Sequence, residues 1–84
     1  MDYVVYILYS VKNRIHYTGV TSDLISRFRS HNELGTKGFT KKYRPWIVIH
    51  VEFFNNKKDA YAREKFLKSG QGRQLIKTIQ KFND

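Results

Sequence analysis

IHYTGVTSDLISRFRSHN, residues 15–32, decides the fold: it reads as the end of a strand running straight into a helix. Thr21 or Ser22 is placed to cap that helix, because a short polar side chain there satisfies N–H groups that have no intrahelical partner. Asp23 falls in the first turn. Leu24 and Phe28 stand one turn apart and face a core. At about 100° per residue, Arg27 and His31 fall on the border of the same apolar face, whereas Arg29 points away into solvent. A cation and an imidazole thus stand one turn apart beside a core, a placement that calls for a reason.

Working outward, YVVYILY (3–9) is apolar on both alternating faces, the pattern of a strand covered on both sides. VKNR (11–14) is a turn, so residues 3–9 and 15–20 form a hairpin. WIVIHVEFF (46–54) is the third strand, with Ile47, Ile49, Val51 and Phe53 on one face and Val48, His50 and Glu52 on the other. NKKDAYAREKFLKSG (56–70) is a helix ended by Gly70 as C-cap. Leu75, Ile76, Ile79 and Phe82 recur at helical spacing over 72–82, a face that is more simply core than cofactor site. The order β-β-α-β-α-α predicts one α+β domain over residues 1–84, with a three-stranded, largely antiparallel sheet flanked by helices.

Composition narrows the function. Sixteen Lys+Arg against seven Asp+Glu give a net charge of +9 on 84 residues. So basic a balance points to a polyanion, because lysine and arginine displace the counterions condensed on phosphates. The absence of cysteine excludes disulfides and thiolate-bound zinc. No apolar run approaches the ~18 residues of a membrane span, and MDYVVYILYS lacks a basic leader, so a cytoplasmic protein with no membrane partner is expected. The segment ELGTKGFTKKYRP (33–45) interleaves Lys37, Lys41, Lys42 and Arg44 with Phe39 and Tyr43, a mixture suited to phosphates and unpaired bases. A merely solvated loop would have the same composition. Lys68 and Arg73 extend the candidate nucleic-acid-binding set.

Glu64 lies in an apolar quadrant of its helix, between Ala60 and Leu67 on one side and Tyr61 on the other. A carboxylate there must find partners or shift its pKa. Lys68, one turn on, offers an ion pair worth only ~0.3–0.5 kcal/mol; the sharper alternative is a metal ligand. Tyr6 and Tyr17, mid-strand in the hairpin, are placed to present hydroxyls to one sheet face with Arg27 and His31 at its rim. Two phenols, an arginine, an imidazole and a lone carboxylate are an economical set for phosphodiester cleavage. One carboxylate is adequate for Mg²⁺, which keeps most of its waters and takes substrate oxygens as further ligands.

These residues resemble the GIY-YIG nucleases, most closely the small stand-alone bacterial type akin to the excinuclease-C endonuclease domain. Val4-Val5-Tyr6 lies where that family has Gly-Ile-Tyr, and Tyr17-Thr18-Gly19 where it has Tyr-Ile-Gly. Arg27 and His31 follow at the family's intervals, and AREKFLK carries Glu64 where the family has its metal-binding glutamate. Val4 and Thr18 depart from the motif, and the family's later asparagine has no clear counterpart, since RQLIKTIQKF offers only Gln74 and Gln80. The resemblance implies an Mg²⁺- or Mn²⁺-dependent endonuclease acting on DNA, or on branched or damaged nucleic acid, with weak sequence preference. In that reading Glu64 holds the metal, Arg27 braces the phosphate, Tyr6 is the general base and Tyr17 orients the water. His31, with an ordinary pKa of ~6.5, is the alternative base. The rival expectations are a nucleic-acid-binding module without turnover, which needs the basic surface but not Glu64, and a protein-interaction adaptor.

Overall fold

The hairpin forms because its turn is satisfied locally. Arg14 adopts the left-handed conformation (φ 55°), and its N–H donates to the Ser10 carbonyl at 2.7 Å. The Asn13 amide donates to the Ser10 hydroxyl at 2.9 Å, so this fully buried serine is not left unpaired. The computed structural model describes residues 3–29, 32 and 42–83; the candidate residues His31, Lys37 and Lys41 lie outside them.

Strands β1 (Tyr3–Ser10), β2 (Ile15–Thr21) and β3 (Ile47–Phe54) form an antiparallel sheet in the order β2-β1-β3. β1 is therefore central, which is why it is apolar on both alternations: Val4 through Ser10 are all buried. Its even residues Val4, Tyr6 and Leu8 cluster with Trp46 beneath helix α1 (Leu24–Arg29), where Leu24 and Phe28 pack as expected. Its odd residues Val5, Ile7 and Tyr9 cluster with Ala60, Leu67 and Ile76 of helices α2 (Lys57–Leu67) and α3 (Gly70–Asn83). The order β-β-α-β-α-α of an α+β fold is as expected.

Three local expectations are corrected. The even alternation expected of β3 is broken, because the register passes from Ile7↔His50 to Leu8↔Val48 and leaves Ile49 as an extra residue. A bulge of one residue inverts the phase, so Ile49 packs with the odd face of β1 and Val51 with the even face. The cap of α1 is Asp23, whose Oδ1 accepts from the Ser26 N–H at 3.1 Å, while Thr21 Oγ1 accepts from the N–H of Asp23 itself at 3.0 Å. Gly70 does not end a helix but begins one. α2 stops at Leu67, and Ser69 caps α3, accepting the Gly72 N–H on its hydroxyl (3.3 Å) and the Arg73 N–H on its carbonyl (2.9 Å). The glycine this corner requires is Gly72. A Cβ there would meet the Phe66 carbonyl oxygen and lie 2.5 Å from the Leu67 carbonyl carbon, whereas one at Gly70 would meet nothing.

α2 is fixed at its start by a reciprocal pair between Asn56 and Asp59, at 2.8 and 3.0 Å. It is tied to β3 by Arg63, which donates through Nε and a terminal nitrogen to the two Glu52 oxygens at 2.7 and 3.0 Å. His50 Nε2 donates to the same carboxylate at 2.8 Å. Among the described residues no helix is long and apolar enough to cross a membrane.

Candidate active site

Tyr6 lies directly across from Gly19 in the β1–β2 ladder. The tyrosine ring occupies the space a side chain at 19 would need: a Cβ there would press on the hydroxyl and stand 2.5 Å from Cζ. The missing side chain is thus the seat of the ring, and it explains a glycine in mid-strand. Tyr17 shares the face, its ring centroid 6.4 Å from that of Tyr6 and 6.2 Å from that of Trp46. Trp46 is nearly fully buried, and the Asn32 side chain holds its backbone, donating to its carbonyl (2.9 Å) and accepting from its N–H (2.5 Å). Sequence reasoning missed this clamp, for its partners are fourteen residues apart with no periodicity linking them.

Three expected site residues, Tyr17, Arg27 and Glu64, lie near enough to act electrostatically on the Tyr6 hydroxyl. Burial pushes the Tyr6 phenol well above its ordinary value; the neighbouring Tyr17 and Glu64 raise it further, and Arg27 opposes them. Arg27 is exposed, as Arg29 is, so the expected contrast between a border arginine and a solvated one does not appear in their exposure. Burial thus favours the protonated phenol.

Glu64, with its side chain only 19% exposed, pairs through Oε2 with Lys68 Nζ at 3.2 Å. The ion pair and the placement beside Tyr6 are therefore compatible: the Lys68 head, mostly in solvent, can leave at little cost. Among the described residues no three His, Cys, Asp or Glu side chains form a metal cage. A lone, largely buried carboxylate fits a hard divalent cation that retains its water shell, and does not fit a metal needing several protein ligands.

The basic candidates divide. Lys68 and Arg73 line one cleft beside β2, together with Lys77, which sequence reasoning had not singled out. Lys42 and Arg44 sit instead in the segment entering β3, where the Lys42 ammonium lies 5.3 Å from the Tyr43 ring centre and Tyr43 packs on the even-residue cluster.

The sequence is similar to those of known proteins. The model of the GIY-YIG catalytic domain matches residues 2–80. A UPF0213 protein of Clostridium perfringens is 35% identical over 79 residues, covering 94% of this chain and 83% of its own. A UPF0213 protein of Staphylococcus haemolyticus is 33% identical over 76 residues, covering 90% and 92%. The UPF0213 protein YazA of Bacillus subtilis is 35% identical over 57 residues, 68% of this chain and 58% of its own. No solved structure matches the chain. A family model that takes in every strand, both tyrosines, the arginine and the glutamate leaves one assignment: the chain belongs to the GIY-YIG catalytic-domain family.

Proposed function

We propose that the protein is a metal-dependent endonuclease that hydrolyses phosphodiester bonds in DNA or structured nucleic acid with weak sequence preference. The observation that supports this best is the Tyr6 ring seated on Gly19 beside Tyr17, with Arg27 and Glu64 both within electrostatic reach of its hydroxyl. Arg27 braces the scissile phosphate through a forked, charge-assisted contact that lysine cannot reproduce. Glu64 would hold Mg²⁺ or Mn²⁺, in competition with its ion pair to Lys68. When bound, such a cation neutralises charge on the phosphate and on the departing oxygen. Tyr6 first positions the attacking water as a donor, with Tyr17 beside it; it accepts a proton only when nearby positive charge lowers its pKa, and His31 is the alternative acceptor. Because the protein groups grip phosphate rather than base edges, little sequence preference is expected.

A second reading is a binding module without turnover, favoured by the burial of the Tyr6 hydroxyl, which makes the phenol a poorer base. Labelled single-stranded, duplex and branched DNA and RNA, incubated with the protein in Mg²⁺, Mn²⁺ or chelator, separate the two. Cleavage that needs metal and is lost in Glu64→Gln while binding persists is the expected result. A protein that binds every substrate and cuts none is the module.

A further inference from the structure

Between β2 and the α2–α3 corner the surface opens into a cleft of ≈ 480 Å³. Its floor is apolar, made of the buried Leu67 and Ile76. One wall is the His16 ring, seated against Tyr9 with centroids 4.9 Å apart, and beside it the buried Thr18. Lys68, Arg73 and Lys77 stand around the opening, and no carboxylate is among the lining residues.

We propose that this cleft takes one unpaired nucleotide of the substrate strand, its base on the Leu67–Ile76 floor beside His16 and its phosphates on the three cations; the assignment to a substrate strand rests on the nuclease reading above. The volume falls within the ~300–1,000 Å³ of small-ligand sites. Cations alone would suit any phosphate backbone, but the concave apolar floor has no use for a duplex, whose bases are stacked inside. An unpaired base brings a free aromatic face to such a floor. Two residues join the cleft to the catalytic cluster. Tyr17 lines it and contacts Tyr6, and Lys68 lines it and pairs with Glu64. Through these two residues a nucleotide bound here would neighbour the one that is cut. Substrates unpaired at the cut are therefore favoured over blunt, fully paired duplex.

The test titrates the metal-free chain at low salt with adenosine 5′-monophosphate, adenosine and inorganic phosphate, following backbone amides by NMR. The nucleotide is expected to shift His16, Thr18 and Lys77 amides more than phosphate or adenosine does at equal concentration. Arg73→Glu and Lys77→Glu, both at exposed positions, are expected to weaken that binding by about tenfold. Lys58→Glu, an exposed position outside the cleft with the same change in net charge, is expected to leave it unaltered. An equal loss in Lys58→Glu, an equal response to phosphate alone, or a stronger response to a glutamate oligopeptide would each overturn the proposal. Nucleotide binding needs no turnover, so the two readings fail separately. A chain that takes the nucleotide here but cuts nothing overturns the nuclease reading and leaves the cleft assigned. One that cuts blunt duplex as fast as single strands, with no nucleotide in the cleft, overturns the cleft and leaves the nuclease.

Discussion

Gly19 carries more of the site than its missing side chain suggests, because the Tyr6 ring occupies the volume a methyl group would fill. Gly19→Ala must push the ring aside within a strand that is buried on both faces. The expected outcome is a loss of ~1–3 kcal/mol in denaturant unfolding, with a larger proportional loss of cleavage than of binding. Lys68 gives the opposite kind of residue. Its ion pair with Glu64 contributes little to stability, yet its charge opposes a cation at the same carboxylate. Lys68→Ala should leave the melting temperature nearly unchanged, tighten Mn²⁺ binding at Glu64 by about fivefold, roughly 1 kcal/mol at a half-exposed site, and weaken nucleic-acid binding. Paramagnetic broadening by Mn²⁺ and a salt-controlled binding titration read the two effects. At this scale the sequence was informative where periodicity places a side chain: Leu24 and Phe28 on the core face of α1, two tyrosines on one sheet face. It was silent where the partner is distant, as with Asn32 on Trp46 or Lys77 across from β2.

Among the elements, the tie between β3 and α2 depends on pH in a definite direction. Arg63 first, and then His50, hold the Glu52 carboxyl below its ordinary value of 4.5, against the opposing effect of burial. A carboxylate with a lowered folded pKa stabilises the fold above its unfolded value, and that contribution is lost as pH falls through the lowered one. Stability from this tie should therefore begin to fall below about pH 4.5 and be lost only once pH has passed the lowered value, and Glu52→Gln should flatten that part of the profile. At neutral pH the same change should cost about 1 kcal/mol, measured by thermal melts across pH, because the pair is partly solvated. Element boundaries show where pattern reading stops. The class and order of the elements follow from apolar spacing, but the corner between α2 and α3 does not. Gly70 looks like a helix terminator, and only the contact of Gly72 with the Leu67 backbone reveals that the chain turns one helix into the next. The β3 bulge is equally invisible, since an inserted residue leaves an apolar strand still apolar.

For the molecule as a whole, the +9 charge sets how it meets its partner. Affinity for nucleic acid should fall steeply between low and physiological salt. Replacing Lys42, Lys68, Arg73 and Lys77 together with alanine should reduce the slope of log affinity against log salt by roughly 3 units. All four are exposed, so circular dichroism should be unchanged. An unaltered slope would place the phosphate contacts elsewhere.

The sheet order has one more consequence, during synthesis. β1 is central in space, yet its second neighbour, β3, begins at Ile47. A growing chain can close the β1–β2 hairpin early, but the other edge of β1 then stays open, with its backbone N–H and C=O groups unpaired and both apolar faces uncovered, until the third strand has left the ribosome. An open, apolar edge is the template on which strands of separate chains pair. The interval between hairpin and third strand is thus the period in which this protein is most exposed to aggregation, and holding β1 apart from its neighbours until then is the task its folding leaves to chaperones.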